Sequence, residues 1–230
     1  MHRVAIRQEI VERVVARRGR LHPFEALDAK RTALLVIDMQ KAFVAPGAPV
    51  EVPMARGIVA PINRLAAGLR RRGVPVIWVL HENQRDGRDW DGFFGVFVAP
   101  GKRAEAAAAL AAGAELQGLW PELSVAAGDL RVTKNRYSPF IAGSSTLPSV
   151  LQERKIHTLL IAGTKTNVCC ECTARDAMML DFKVVLLSDC TAALSDEEQR
   201  ATLENVIQQF GDVRTADEVI TLFDRRSAPP

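Results

Sequence analysis

Cysteine is scarce in this 230-residue chain, and the four present (Cys169, Cys170, Cys172 and Cys190) all fall in the C-terminal third. Three of them crowd into four consecutive positions, which is no framework for spaced disulfides, so reduced thiols in a cytoplasmic setting are expected. Long hydrophobic runs are lacking too: the longest, such as Thr158–Ala162, are strand-length, far short of the roughly 20 residues a membrane span needs. Met1–Leu21 mixes apolar residues with Arg and Glu and has no continuous apolar stretch of the secretory-signal kind. Neither sign of charge dominates, with 30 Lys and Arg against 27 Asp and Glu and a net charge of +3. The basic residues are interspersed with acidic ones, so charge suggests neither a nucleic-acid nor a membrane partner. The four histidines (His2, His22, His81 and His157) are scattered and the cysteine cluster has no second cluster at zinc-finger spacing, which disfavours a structural metal. No Gly-rich phosphate loop follows any apolar run, and no cofactor is expected.

What is present is an alternation of short apolar runs with helical patterns. Thr32–Ile37 and Val74–Leu80 read as buried strands, Leu130–Lys134 as a third, short one, and Thr158–Ala162 and Lys183–Leu187 as a fourth and fifth, with Val213 opening a sixth. Between them, Ala55–Arg72, Lys102–Ala112, Ser145–Arg154, Cys169–Leu180 and Asp196–Phe210 carry helical patterns, the last opening on a Ser195/Glu198 capping pair. His81–Gly101 reads as a long irregular insertion rich in aromatics, a pocket wall or a subunit contact. The fold class that follows is α/β: a Rossmann-like three-layer sandwich with a mostly parallel sheet of about six strands and helices on both faces. Arg3–Arg20 reads as an amphipathic helix with Val4, Ile10, Val14 and Val15 as its apolar members. Residues 1–30 are thus expected to form a helical arm able to pack on a partner subunit, and 31–225 the main domain. A homo-oligomer, dimer or tetramer, is the expected state.

Three reactive side chains sit just past separate predicted strands: Asp38, Lys134 and Cys169. Strand ends of a parallel sheet share one edge, so a carboxylate, an ammonium and a thiol converge there despite their separation in sequence. Each alone has a bland reading: an Asp after a strand caps a turn, a Lys is solvated, and a helical Cys is a small buried hydrophobe. The bland reading is retained for Cys170, Cys172 and Cys190. Cys169, after a turn containing Gly163, is expected in the first turn of a helix, where free amides and the helix dipole favour thiolate and can support an oxyanion. Lys134 is expected to lower the thiol pKa further, and Asp38 to take the thiol proton and pass it to a leaving nitrogen.

Three motifs, in order, give these residues a context: Leu34-Leu35-Val36-Ile37-Asp38-Met39-Gln40, Lys134-Asn135-Arg136-Tyr137-Ser138-Pro139-Phe140, and Gly163-Thr164-Lys165-Thr166-Asn167-Val168-Cys169 continuing through Thr173-Ala174-Arg175-Asp176-Ala177. Together they resemble the isochorismatase-like cysteine hydrolases, over roughly Arg31 to Phe223. The resemblance implies Asp38 as general base and acid, Lys134 as its electrostatic partner and Cys169 as nucleophile. It also implies a cis peptide between Thr164 and Lys165, with the backbone amides of Lys165 and Cys169 forming an oxyanion hole. A small residue is expected where Lys165 stands; its side chain adds charge near the pocket mouth or points to solvent.

Nicotinamidases of this group hold a metal with an Asp and two His after the second strand, whereas the segment here is His81-Glu82-Asn83-Gln84; a nicotinamidase is disfavoured and no metal site is expected. The motifs look most like the ureidoacrylate and carbamoyl-amide branch. The expected activity is cysteine-dependent cleavage of a C–N bond in a small ureide, carbamoyl or amide compound through an acyl-cysteine. The alternatives are an isochorismatase-type vinyl-ether hydrolase and a non-catalytic binding protein that keeps the fold. Expected pocket residues are Gln40, Phe43, His81, Asn83, Trp90, Tyr137 and Phe140, of which Phe43, Trp90 and Phe140 serve equally well as packing.

Overall fold

The computed structural model describes residues 2–224. Its centre is a six-stranded sheet in the order β3-β2-β1-β4-β5-β6, every pairing parallel. The strands are β1 (Thr32–Ile37), β2 (Val76–His81), β3 (Leu130–Lys134), β4 (Thr158–Thr164), β5 (Lys183–Ala192) and β6 (Asp212–Arg214). All residues of β1, β2 and β4 are buried, which is why their sequences are continuous apolar runs and not alternating ones. Leu34 and Val36 face one apolar layer while Ala33, Leu35 and Ile37 face the other. The first layer is closed by α3 (Val59–Arg70) and α9 (Ala216–Asp224), the second by α6 (Leu147–Glu153), α7 (Glu171–Met179) and α8 (Asp196–Asn205). The expected three-layer α/β sandwich is the observed one.

Strand order reverses between β1 and β4, the switch point at which open α/β sheets form a crevice beyond their strand ends. These two strands meet closely at Gly163, whose φ of 110° lies in the region glycine alone adopts freely. A Cβ there would fall 2.0 Å from the Ile37 carbonyl oxygen. No helix among the described residues is long and apolar enough to cross a membrane.

The chain departs from its sequence reading in three places. Helix α1 spans Gln8–Arg18, beginning later than expected, and it packs on its own chain: Ile10 and Val14 join the second apolar layer, while Val15 is 39% exposed. Arg7 meets Glu204 through its backbone N–H and its guanidinium, and the ring of His2 is buried against Asp196 and Ala193. The insertion after β2 is not irregular: a short turn of helix at Arg88–Trp90 leads into α4 (Asp91–Val96), and α5 spans Pro100–Ala109. Finally, the helix at Cys169 opens with a widened π-type turn, Thr166–Cys170, before α7. The Ser195/Glu198 capping box at the start of α8 is present as read.

Candidate active site

The register of the sheet brings the three reactive side chains to one edge. Ile37 stands opposite Val79 and Gly163, and His81 opposite Lys134, so Asp38, His81, Lys134 and the turn after β4 follow neighbouring strand ends. Asp38 turns the chain sharply there, with φ of 52°, a left-handed conformation that costs a non-glycine residue about 1–3 kcal/mol. Its N–H is secured to the Val79 carbonyl at 2.9 Å. The Thr164–Lys165 peptide is cis, as the resemblance implied.

Lys134 is the hub. Its buried Nζ donates to Asp38 Oδ2 at 2.8 Å and lies 3.3 Å from His81 Nδ1 and 3.7 Å from Cys169 Sγ, one neighbour for each ammonium hydrogen. His81 Nε2 is 2.7 Å from Asn83 Oδ1. With an ammonium on one side and an amide oxygen on the other, the imidazole is neutral, its proton on Nε2 and its Nδ1 lone pair toward Lys134. Burial, followed by the Lys134 charge, holds its pKa down at about 3. Asp38 keeps its other oxygen, Oδ1, buried with no hydrogen-bond partner.

The direction of the Cys169 shift runs against the expectation of a thiolate. Burial pushes the Cys169 thiol well up, the Asp38 carboxylate pushes it further, and the Lys134 ammonium offsets only part of this. Burial also raises the Asp38 carboxyl against the pull of Lys134. For Lys134 burial acts downward, but Asp38 and Cys169 outweigh it and the ammonium is held above its ordinary value. These directions favour a protonated Cys169 thiol beside the Lys134 ammonium, which is held 2.8 Å from Asp38 Oδ2.

Cys169 opens onto a cavity of about 460 Å³. Of the expected pocket residues, Phe43, His81, Asn83, Trp90 and Tyr137 line it, with Lys165 beside Cys169. Trp90 stacks on Phe93 and meets the edge of Tyr137, each at 4.7 Å between ring centroids, while the Arg136 guanidinium lies 5.2 Å over the Trp90 ring. Two expected residues are elsewhere. Gln40 is fully buried behind the cavity, accepting from His81 N–H and donating to the carbonyls of His81 and Gln117. Phe140 packs in the second apolar layer, 5.6 Å from Phe182. The sequence reading missed the wall formed by Ala48–Glu51, Ala106, Leu110 and Leu194; nothing in those residues marks them, because only the folding-back of two loops and α5 brings them to Cys169. Phe97, from the same aromatic insertion, is 78% exposed.

A parallel α/β sheet that gathers a buried carboxyl, amine and thiol at its switch point has the side chains a cysteine hydrolase needs. Residues 32–218 match the isochorismatase domain, and the chain belongs to the isochorismatase family. It is 34% identical over 219 residues to the ureidoacrylate amidohydrolase RutB of Variovorax paradoxus (strain S110), covering 86% of this chain and 83% of that one. It is also 34% identical over 180 residues to a probable inactive nicotinamidase of Arabidopsis thaliana, covering 76% and 87%. Among solved structures, a cysteine hydrolase from Pseudomonas syringae pv. phaseolicola 1448A superposes with a TM-score of 0.79 at 32% identity, over 86% of this chain and 94% of that one.

Proposed function

We propose that this protein is a cysteine-dependent amidohydrolase that cleaves a C–N bond of a small ureide, carbamoyl or amide compound through an acyl-cysteine. The observation that carries the reading is the Lys134 ammonium shared among Asp38, His81 and Cys169 at the base of a largely apolar cavity. The names of the ureidoacrylate amidohydrolases it resembles point to the same bond type.

The chemistry runs as acyl transfer. As the Cys169 sulfur attacks the carbonyl carbon, its proton passes to Asp38, whose Oδ1 is free to take it while Oδ2 stays on Lys134. The carbonyl π pair moves onto oxygen, beside the backbone N–H groups of Lys165 and Cys169. Among the described residues neither of these amides donates to a group outside its own element, which suits them to an oxyanion. Collapse of the tetrahedral species breaks the C–N bond, and the nitrogen leaves as ammonia or an amine with the proton from Asp38. Water then attacks the thioester or thiocarbamate, Asp38 accepts its proton and returns it to sulfur. The neutral His81 does not titrate in this cycle; it positions Lys134.

A panel of ureides and amides tested for ammonia release examines this directly. Release that falls by on the order of 10³-fold or more in Cys169→Ser is expected; full activity in Cys169→Ala would sink the nucleophile assignment. Release of product from isochorismate, with none from the panel, would favour vinyl-ether hydrolysis instead.

A further inference from the structure

The walls of the Cys169 cavity carry one acidic residue and one lysine, Glu51 and Lys165. Glu51 is already neutralised: one carboxylate oxygen accepts from the Arg56 guanidinium at 2.8 Å and the other from the Gly47 N–H at 2.8 Å. These bonds hold its carboxyl below the usual range. Lys165 has no such partner; among the described residues no carboxylate lies within 4 Å of its ammonium and no hydrogen bond engages it. Beneath it, Asp38 and Lys134 cancel one another, and the His81 imidazole is neutral. The Arg136 guanidinium does not line the cavity: it lies 5.2 Å from the centroid of the Trp90 ring and donates to the Asn135 carbonyl. Lys165 is thus the one Lys or Arg side chain lining the cavity, without an acidic partner among the described residues, in largely apolar surroundings where charge is weakly screened.

We infer that the Lys165 side chain is a specificity-determining residue that binds a carboxylate of the substrate, so that the compound cleaved is an anionic ureido or amido acid and not a neutral urea or amide. This rests on the proposed C–N hydrolysis and narrows it. The division of labour is simple: the backbone N–H of Lys165 faces the reacting carbonyl, and its ammonium holds the acid group at the other end of a short molecule.

Binding to the catalytically silent Cys169→Ser protein tests the inference separately from catalysis. Calorimetric titration with N-carbamoylglycine and with its uncharged amide gives an acid-to-amide affinity ratio, in which any general loss of binding divides out. A ratio of roughly 10 to 100 is expected for one charge-assisted contact. It should fall to about 1 when Lys165→Met is added, persist with Lys165→Arg, and shrink as salt is raised. A ratio near 1 in the Cys169→Ser protein, a ratio that survives Lys165→Met, or binding of neither probe would overturn the inference. Ammonia release by the unmodified protein from the same two compounds reports on the hydrolytic reading alone: selective binding without cleavage leaves Lys165 as an anion site and removes the amidohydrolase.

Discussion

Lys134 Nζ and Asp38 Oδ2 are 2.8 Å apart with both side chains wholly withdrawn from solvent. A pair so placed contributes little net stability, because desolvation of both charges offsets their attraction, yet removing one partner strands the other. Lys134→Met should therefore cost about 3–5 kcal/mol in urea unfolding, and adding Asp38→Asn should recover much of it. A loss under about 1 kcal/mol for the single variant would mean that the two groups are not ionised together in the fold.

Gln40, expected to touch substrate, instead joins the end of β2 to the 115–118 loop through three hydrogen bonds. Gln40→Ala leaves His81 N–H and two carbonyls without these partners and should cost about 2–4 kcal/mol. Since His81 rests against Lys134, kcat should fall more than KM rises. A variant with a raised KM and unchanged kcat and stability would restore Gln40 to the pocket wall.

The upward push on the Cys169 thiol predicts a particular reactivity. Alkylation by iodoacetamide, followed by peptide mass spectrometry so that half-buried Cys172 is counted separately, should be slow at pH 7 and climb with pH. Asp38→Asn removes the anion that raises the thiol, so its profile should move to lower pH. A fast plateau at pH 7 in the unmodified protein would establish a resting thiolate. The same shift has a stability sign: a thiol raised above its ordinary 9.0 stabilises the fold fully below that value and progressively less as pH rises beyond it, where only the unfolded chain ionises.

His81 contributes with the opposite slope. Its pKa falls from 6.5 to about 3 on folding, so the unfolded chain gains a proton that the folded one refuses as pH drops from 6.5 toward 3, and stability is lost across that window. At about 1.4 kcal/mol per unit the contribution is at most on the order of 5 kcal/mol. Comparing chemical unfolding of the unmodified protein and His81→Gln from pH 7 to pH 4 should show a flatter acid limb in the variant; parallel limbs would place the imidazole in solvent.

Gly163→Ala is expected to prevent folding or to cost more than about 3 kcal/mol, since the new methyl meets the Ile37 carbonyl and the backbone is left-handed there. Soluble yield and a thermal melt decide it; an unperturbed melt would show that β1 and β4 separate easily.

The frame of this fold was legible because a sheet buried on both faces writes its strands as unbroken apolar runs, as in Leu34-Leu35-Val36-Ile37 and Leu159-Leu160-Ile161. Asp38 was legible for the same reason, standing where such a run stops, and Lys134 because it closes the short strand Leu130–Lys134. What escaped depends on partners remote in sequence. The side chain of Gln40 is defined by residues 81 and 117, and Phe140 by Phe182. The state of the Cys169 thiol follows from how deeply the surrounding elements bury it, which helix-dipole reasoning about Thr166-Asn167-Val168-Cys169 does not contain. Helix α4 was hidden by its composition, Asp91-Gly92-Phe93-Phe94-Gly95-Val96, two glycines and three bulky residues of low helix propensity; burial of Phe94 against the cavity helps to hold it in place.

The docking of residues 2–18 bears on the timing of synthesis. Arg7 rests on Glu204, Arg13 on Gln208 and Arg17 on Gln209, surfaces about 190 positions later in the chain. While the ribosome is still making β1 to β3, α1 has nothing to lie on, and its apolar stripe of Ile10 and Val14 stays uncovered until the last quarter of the polypeptide emerges. A segment made well before its partners is among the last to settle, so in the nascent chain it is a stretch for a chaperone to hold.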